Sequence, residues 1–367
     1  MESPFLLLIV REGREELAKF EIATRFLGAK FAFSRPGFLS FKAGRPTETI
    51  GGGASWSFAT TKTLVFPLRS ALFFGKIVAD AEGGPAKITR LPEGATAPNC
   101  AHLHFLDFSA PADPRAPTKQ GADPTTWFAQ APGLEAALAE FRTACGDPAR
   151  TNEEAGIGEG ILQVIRVSER EFWIGVSVLR AAEFGLPGGE SGVTLPEQAP
   201  SRSYLKIEEA MRLLERASGK PVFRAGDRAV EIGCAPGGAA FALLERGLRV
   251  TGVDRGAMAP VVLASDRFEQ IHSSVGTWEP PPTLAAEWLL IDINAEPSIA
   301  LRESRAVIDQ VSPRLKGVFL TLKLNKPEFL VAAERLAKTT AEELGLKTWF
   351  LKQLPSHHQE FGFFGTR

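Results

Sequence analysis

From about residue 199 onward, short apolar runs alternate with amphipathic segments. The runs fall at 229–233, 248–254, 268–272, 288–293, 318–324, 348–354 and 360–364, which predicts seven strands with helices between them. The first run, Ala229-Val-Glu-Ile-Gly233, turns through Cys234-Ala-Pro-Gly-Gly238 and leaves as a helix with Phe241, Leu243 and Leu244 on its apolar side. A strand, a glycine-rich turn and a helix in that order open an α/β sheet of the doubly wound kind. Ahead of the sheet, residues 201–218 read as a helix, with Ser203 as its N-cap and Gly219 as its stop.

The first half has a different rhythm. Residues 5–10 predict a strand, 15–26 a helix, and 31–41 a strand broken by Pro36-Gly37. Basic side chains outnumber acids there, a weak hint of a phosphate-facing surface. Residues 51–55 read as a flexible glycine turn, and 63–79 return to apolar, partly strand-like sequence. Ala101-His-Leu-His-Phe105 alternates cleanly, so His102 and His104 share one face; with no cysteine or carboxylate cluster beside them, they read as solvent-facing polar positions rather than a metal pair. Residues 111–132 predict a long surface connection. A helix at 134–145 and a strand pair at 161–167 and 172–179 follow. Glycine, proline and polar residues over 185–200 mark a linker, so the expected division is 1–190, an α+β domain, and 191–367, an α/β domain.

Composition changes this picture little. A chain of 367 residues, 44% hydrophobic, can bury two cores. Its 42 basic and 43 acidic residues leave a net charge of −1, so any affinity for nucleic acid must come from a local patch. Three scattered cysteines, Cys100, Cys145 and Cys234, argue against a disulfide framework or a zinc site and fit a reducing compartment. The apolar start at 5–10 is too short for a membrane span, and an acid at Glu2 stands where a signal peptide carries base. The expected location is the cytoplasm.

The turn supplies the first chemistry. Glu231-x-Gly233-x-x-Pro236-Gly237-Gly238 does not fit the G-x-G-x-x-G of dinucleotide sites. It looks instead like the loop that holds S-adenosylmethionine (SAM) in Rossmann-like methyltransferases. Asp254, ending the second run, is a carboxylate able to grip a ribose hydroxyl pair. Three further charges sit where a reaction would use them. Asp292 closes Trp288-Leu-Leu-Ile, Lys323 sits in an apolar strand, and Lys206 lies in the first turn of a helix, where the dipole disfavours a cation. Methyl transfer to an unactivated hydroxyl needs a base. A lysine serves only once its pKa of about 10.4 is lowered, for which burial and a second ammonium are the expected means.

Together these residues resemble the FtsJ-like ribose 2′-O-methyltransferases, with their K-D-K-E tetrad. The stretch from Ala199 to Ala210, Cys234 to Gly238, Val253-Asp-Arg-Gly-Ala-Met258 and Leu322-Lys-Leu324 are similar, more narrowly, to the RlmM-type family, which methylates a cytidine ribose of bacterial large-subunit ribosomal RNA. The resemblance is strong over 199–367 and only architectural before it. It implies a Rossmann-like SAM-dependent methyltransferase sheet preceded by an α+β, THUMP-like, RNA-binding N-terminal domain. It also implies Lys323 as proton acceptor, Lys206 as its partner, Asp292 beside both cofactor and tetrad, and Glu360 as the fourth member. Ser203, Gly233, Ala235, Pro236, Gly237, Gly238, Asp254, Ser274 and Asp292 become the expected SAM contacts. The family has an acid after the third strand that meets the adenine; here the place reads His272-Ser-Ser274, and Glu231 replaces a usual aspartate. The implied partner is ribosomal RNA or its precursor particle, with no membrane and a monomer favoured. Two rivals remain at this level: a catalytically silent SAM- or RNA-binding ribosome-assembly factor, and a small-molecule methyltransferase.

Overall fold

The computed structural model describes residues 1–44, 55–61, 64–82, 84–90, 97–109, 122–323 and 329–367. It divides into two compact units, Met1–Gly192 and Val193–Arg367.

The first unit is built on one mixed sheet, nine-stranded among the described residues. Phe5–Ile9 and Arg69–Val78 run at its centre. The hairpin Lys30–Arg35 and Phe38–Lys42 extends one side, and Glu171–Val178, Gly160–Arg166 and Cys100–Asp107 extend the other. Pro36-Gly37 turns the hairpin, and the pair predicted at 161–167 and 172–179 is antiparallel, Ile161 opposite Ser177. One face packs against the helix Leu134–Ala144 through Leu103, Phe105, Phe141, Leu162 and Phe172.

Two expectations for this unit change, and a third lies outside the described residues. The glycine turn lies almost wholly outside the described residues, as does the stretch 110–121. The rest of the expected surface connection contains a helix, Thr125–Gln130, whose Trp127 is buried against Phe105 and Phe172. His102 and His104 are not solvent-facing: both are buried, at 0% and 1% exposure. The physical reason is that the second face of the sheet is covered as well. The fully buried Arg69 reaches the carbonyls of Phe184 and Leu186, and so ties the start of the expected linker down. His104 Nε2 lies 2.9 Å from the Glu153 carbonyl and His102 Nε2 lies 2.9 Å from Glu159 Oε2. Burial, then the Arg69 charge, hold the His104 imidazole down to about 3.

The second unit opens with α1 (Ser203–Ser218). Then come β1 (Arg228–Ile232), α2 (Gly238–Glu245), β2 (Arg249–Val253), α3 (Pro260–Leu263), β3 (Phe268–Ile271) and β4 (Trp288–Ile291). The chain continues with α4 (Pro297–Glu303), α5 (Arg305–Val311), β5 (Gly317–Lys323), α6 (Phe329–Glu343), β6 (Thr348–Lys352) and β7 (Glu360–Thr366). The strands lie in the order β3-β2-β1-β4-β5-β7-β6, all parallel except β7, which runs antiparallel to both its neighbours. Near-continuous apolar runs such as Trp288-Leu-Leu-Ile291 fit strands covered on both faces. Gly219 ends α1 in the left-handed region at φ 68°, but Ser203 is the first helical residue rather than the cap. Its hydroxyl instead meets that of Ser201, at 2.8 Å.

The order reverses between β1 and β4, and ligands of open α/β sheets bind outside the strand ends at such a switch.

Candidate active site

Four charged side chains meet at those strand ends, each delivered by a different element. Lys323 is the last residue of β5 and Glu360 the first of β7, opposite each other in the antiparallel ladder. Asp292 directly follows β4, its amide bonded to the Ile232 carbonyl at 2.9 Å. Lys206 comes from the first turn of α1. Lys206 Nζ lies 2.9 Å from Asp292 Oδ2 and 2.7 Å from Glu360 Oε1. Lys323 Nζ lies 3.1 Å from Asp292 Oδ1 and 2.7 Å from Glu360 Oε2. The two lysines and two carboxylates therefore form a closed, neutral ring in which each carboxylate bridges both ammonium groups. Their side chains keep 9–22% of their exposure, enough to be reached from solvent.

The electrostatics correct one expectation. Burial lowers the Lys323 pKa, but Asp292 and Glu360 outweigh it and hold the ammonium above its ordinary value. Two carboxylates in direct contact win over a second ammonium that lies across them, so Lys206 does not free the base in the ligand-free protein. On Glu360, burial pushes upward and the two lysines push down harder, leaving it at about 2. His357, buried beneath the ring, is lowered to about 3 by burial.

Beside the ring, an open cleft runs along the ends of β1 to β4. Its lining includes Gly233, Asp254, Ser274, Ile293 and Glu303. Gly233 sits at φ +81°, and a Cβ there would run into the Asp292 carbonyl, so only glycine leaves this wall open. Asp254 Oδ2 accepts from the Ala235 amide at 2.9 Å and Oδ1 from the Gly256 amide at 2.7 Å. The carboxylate expected to grip a ribose thus also shapes the loop. Gly237, at φ +110°, is required by packing: a Cβ would stand 2.8 Å from both Met258 Cε and Val262 Cγ2. At Gly238 a Cβ would meet the hydroxyls of Ser201 and Ser203. Ser203, Lys206 and Asp292 line a second, narrow hollow with Glu231 and His357. Glu231 is fully buried, and burial, then Asp292 and Asp254, push its carboxyl well above the usual range. Ala235 and Pro236 form the turn itself. Sequence reasoning missed His357 and Glu303, since neither stands in a pattern that singles it out.

The FtsJ-like methyltransferase family model matches residues 199–341, most of the second unit. Over that stretch the second unit is similar to the FtsJ-like methyltransferases. A curated relative, "Ribosomal RNA large subunit methyltransferase M" of Thauera aminoaromatica, is 41% identical over 113 residues, 30% of each chain. The protein of the same description from Aromatoleum aromaticum is 37% identical over 151 residues, 41% of this chain and 40% of that one. The matched stretch thus spans less than half the length of these relatives. SAM is the cofactor of that family. Among solved structures, Aeropyrum pernix fibrillarin with natively bound SAM is 14% identical, covering 56% of this chain and 82% of that one at a TM-score of 0.34. That likeness is too distant to bear on function. Among the described residues, no helix of either unit is long and apolar enough to cross a membrane.

Proposed function

We propose that the chain transfers the methyl group of SAM to the 2′-hydroxyl of a ribose, that of a cytidine, in bacterial large-subunit ribosomal RNA. The observation that carries this reading is the closed ring of Lys206, Asp292, Lys323 and Glu360 beside the cleft. Within it Lys323 is the general base. Gly233 and Asp254 would hold the cofactor, Asp254 at the ribose, with Ser203, Ser274, Asp292 and the turn from Ala235 to Gly238 around it. When bound, SAM supplies an electrophilic methyl group and a positive sulfonium, and a positive charge beside the ring favours the neutral form of Lys323. The ribose oxygen would then give its proton to Lys323 Nζ as its bond to the methyl carbon forms and the carbon–sulfur bond breaks, the sulfur leaving as a neutral thioether. Asp292 and Glu360 stabilise the resulting ammonium, and Lys206 keeps both carboxylates in place.

The first unit, read as a THUMP-like domain, would supply RNA affinity, largely through phosphate contacts. Incubating the protein with methyl-labelled SAM and unmodified large-subunit RNA, then digesting to nucleosides, tests the whole reading. Label is expected in 2′-O-methylcytidine. Cofactor binding without transfer to any RNA would instead favour the assembly-factor reading.

A further inference from the structure

Glu303 ends α4 and lines the cleft where β3 finishes, together with Ser273, Ser274 and Val275. Its carboxylate lies against the loop after β3: a Cβ on Gly276 would stand 3.7 Å from both Glu303 Cδ and Oε2. Among the described residues, no hydrogen bond or ion pair engages that carboxylate. The nearby hydroxyls are already committed. Ser274 Oγ lies 2.8 Å from Thr277 Oγ1, and Ser273 Oγ donates to the Ser274 carbonyl at 3.2 Å. Of the two carboxylates lining the cleft, Asp254 accepts one backbone amide on each oxygen and keeps its remaining lone pairs for the ribose. Glu303 has every acceptor position to offer.

A carboxylate only accepts, so its natural partner in a nucleoside is a donor. A nucleoside held by its ribose near Asp254 and lying along the strand ends brings its base to the end of β3. We propose that Glu303 accepts from the exocyclic amino group of the cofactor's adenine, reaching from α4 to the place where the loop after β3 offers only serine. Glu303 is then a specificity residue for adenine over a 6-oxo purine, whose oxygen would face the carboxylate with like polarity. The inference rests on the SAM reading of the cleft.

Calorimetric titration of the whole chain with S-adenosylhomocysteine and with S-inosylhomocysteine, in which oxygen replaces that amino group, tests it. A hydrogen bond to a charged group is worth about tenfold or more in affinity. The wild-type protein should prefer the adenosyl compound by at least that factor. Glu303→Ala should lose about tenfold for the adenosyl compound and little for the inosyl one. Adding Ser274→Asp to Glu303→Ala should recover part of the preference, because it returns a carboxylate to the same corner. Equal losses for both compounds would place Glu303 at the ribose and overturn the assignment, as would no loss for either. Failure of the wild-type protein to bind either compound would overturn the cofactor reading along with it.

Discussion

Lys323 and Glu360 are register partners across the antiparallel β5–β7 ladder, and their side chains meet at 2.7 Å. The reversed strand thus brings a carboxylate from near the end of the chain onto the lysine that ends β5. Because Glu360 also touches Lys206, the pairing closes the ring, and it raises the Lys323 pKa.

Removing that carboxylate should therefore make Lys323 easier to deprotonate. The rate of methyl transfer should rise with pH in the wild-type enzyme, and in Glu360→Gln the rise should begin at lower pH. Single-turnover rates from about pH 7 to about pH 11, a range that takes in the ordinary lysine value of about 10.4, measure this. A midpoint that stays put, or moves upward, would remove Glu360 from control of the base.

Burial keeps His357 neutral, with its folded pKa near 3 against an ordinary 6.5. A depressed histidine costs stability as pH falls, because the unfolded chain takes up the proton first. The loss should begin below about pH 6.5 and grow until pH passes about 3. His357→Gln should flatten the stability profile of the second unit in that window. Denaturant unfolding at pH 7 and pH 4.5 reads the difference, and an unchanged slope would count against a buried neutral imidazole.

At Gly233 a side chain would meet both a positive φ and the Asp292 carbonyl. Gly233→Ala should cost about 2 kcal/mol or more in stability, the sum of backbone strain and overpacking. Chemical denaturation followed by tryptophan fluorescence would show it. A variant as stable as the wild type would mean that the β1 turn relaxes freely.

A chain that begins at Val193 should keep its affinity for SAM and lose activity on RNA, since ring and cleft both lie in the second unit. Affinity of the intact chain for RNA should fall steeply with salt. Calorimetry and filter binding report the two properties separately. Full-rate RNA methylation by the shortened chain would give the first unit another task.

Much of the second unit was legible because strands such as Trp288-Leu-Leu-Ile291 and Val318-Phe-Leu320 are continuous apolar runs, and all seven strands lie at the expected positions. Lys323 stood out because a cation in Phe319-Leu-Thr-Leu is costly without a partner. Periodicity reports the direction of a side chain but not what covers it. His102 and His104 do share a face, yet that face is met by Glu159 and Glu153, about 50 residues further along the chain. The sign of the Lys323 shift was also hidden. Residue types alone suggest that two lysines repel, and only the geometry shows both carboxylates lying in contact with each of them. Glu303 escaped notice because its relation to Ser274 exists only across the fold.

The central claim is that Lys323 removes a ribose proton from large-subunit ribosomal RNA. It is tested most directly by mapping ribose methylation in cells that lack this protein, complemented with the wild-type chain or with Lys323→Arg. The account predicts one cytidine 2′-O-methyl group restored by the wild type and lost by at least about 100-fold in rate with arginine, which cannot release its proton near neutral pH. SAM binding should survive in the variant. Methylation at the normal level by Lys323→Arg, or a map unchanged by the protein's absence, would contradict it.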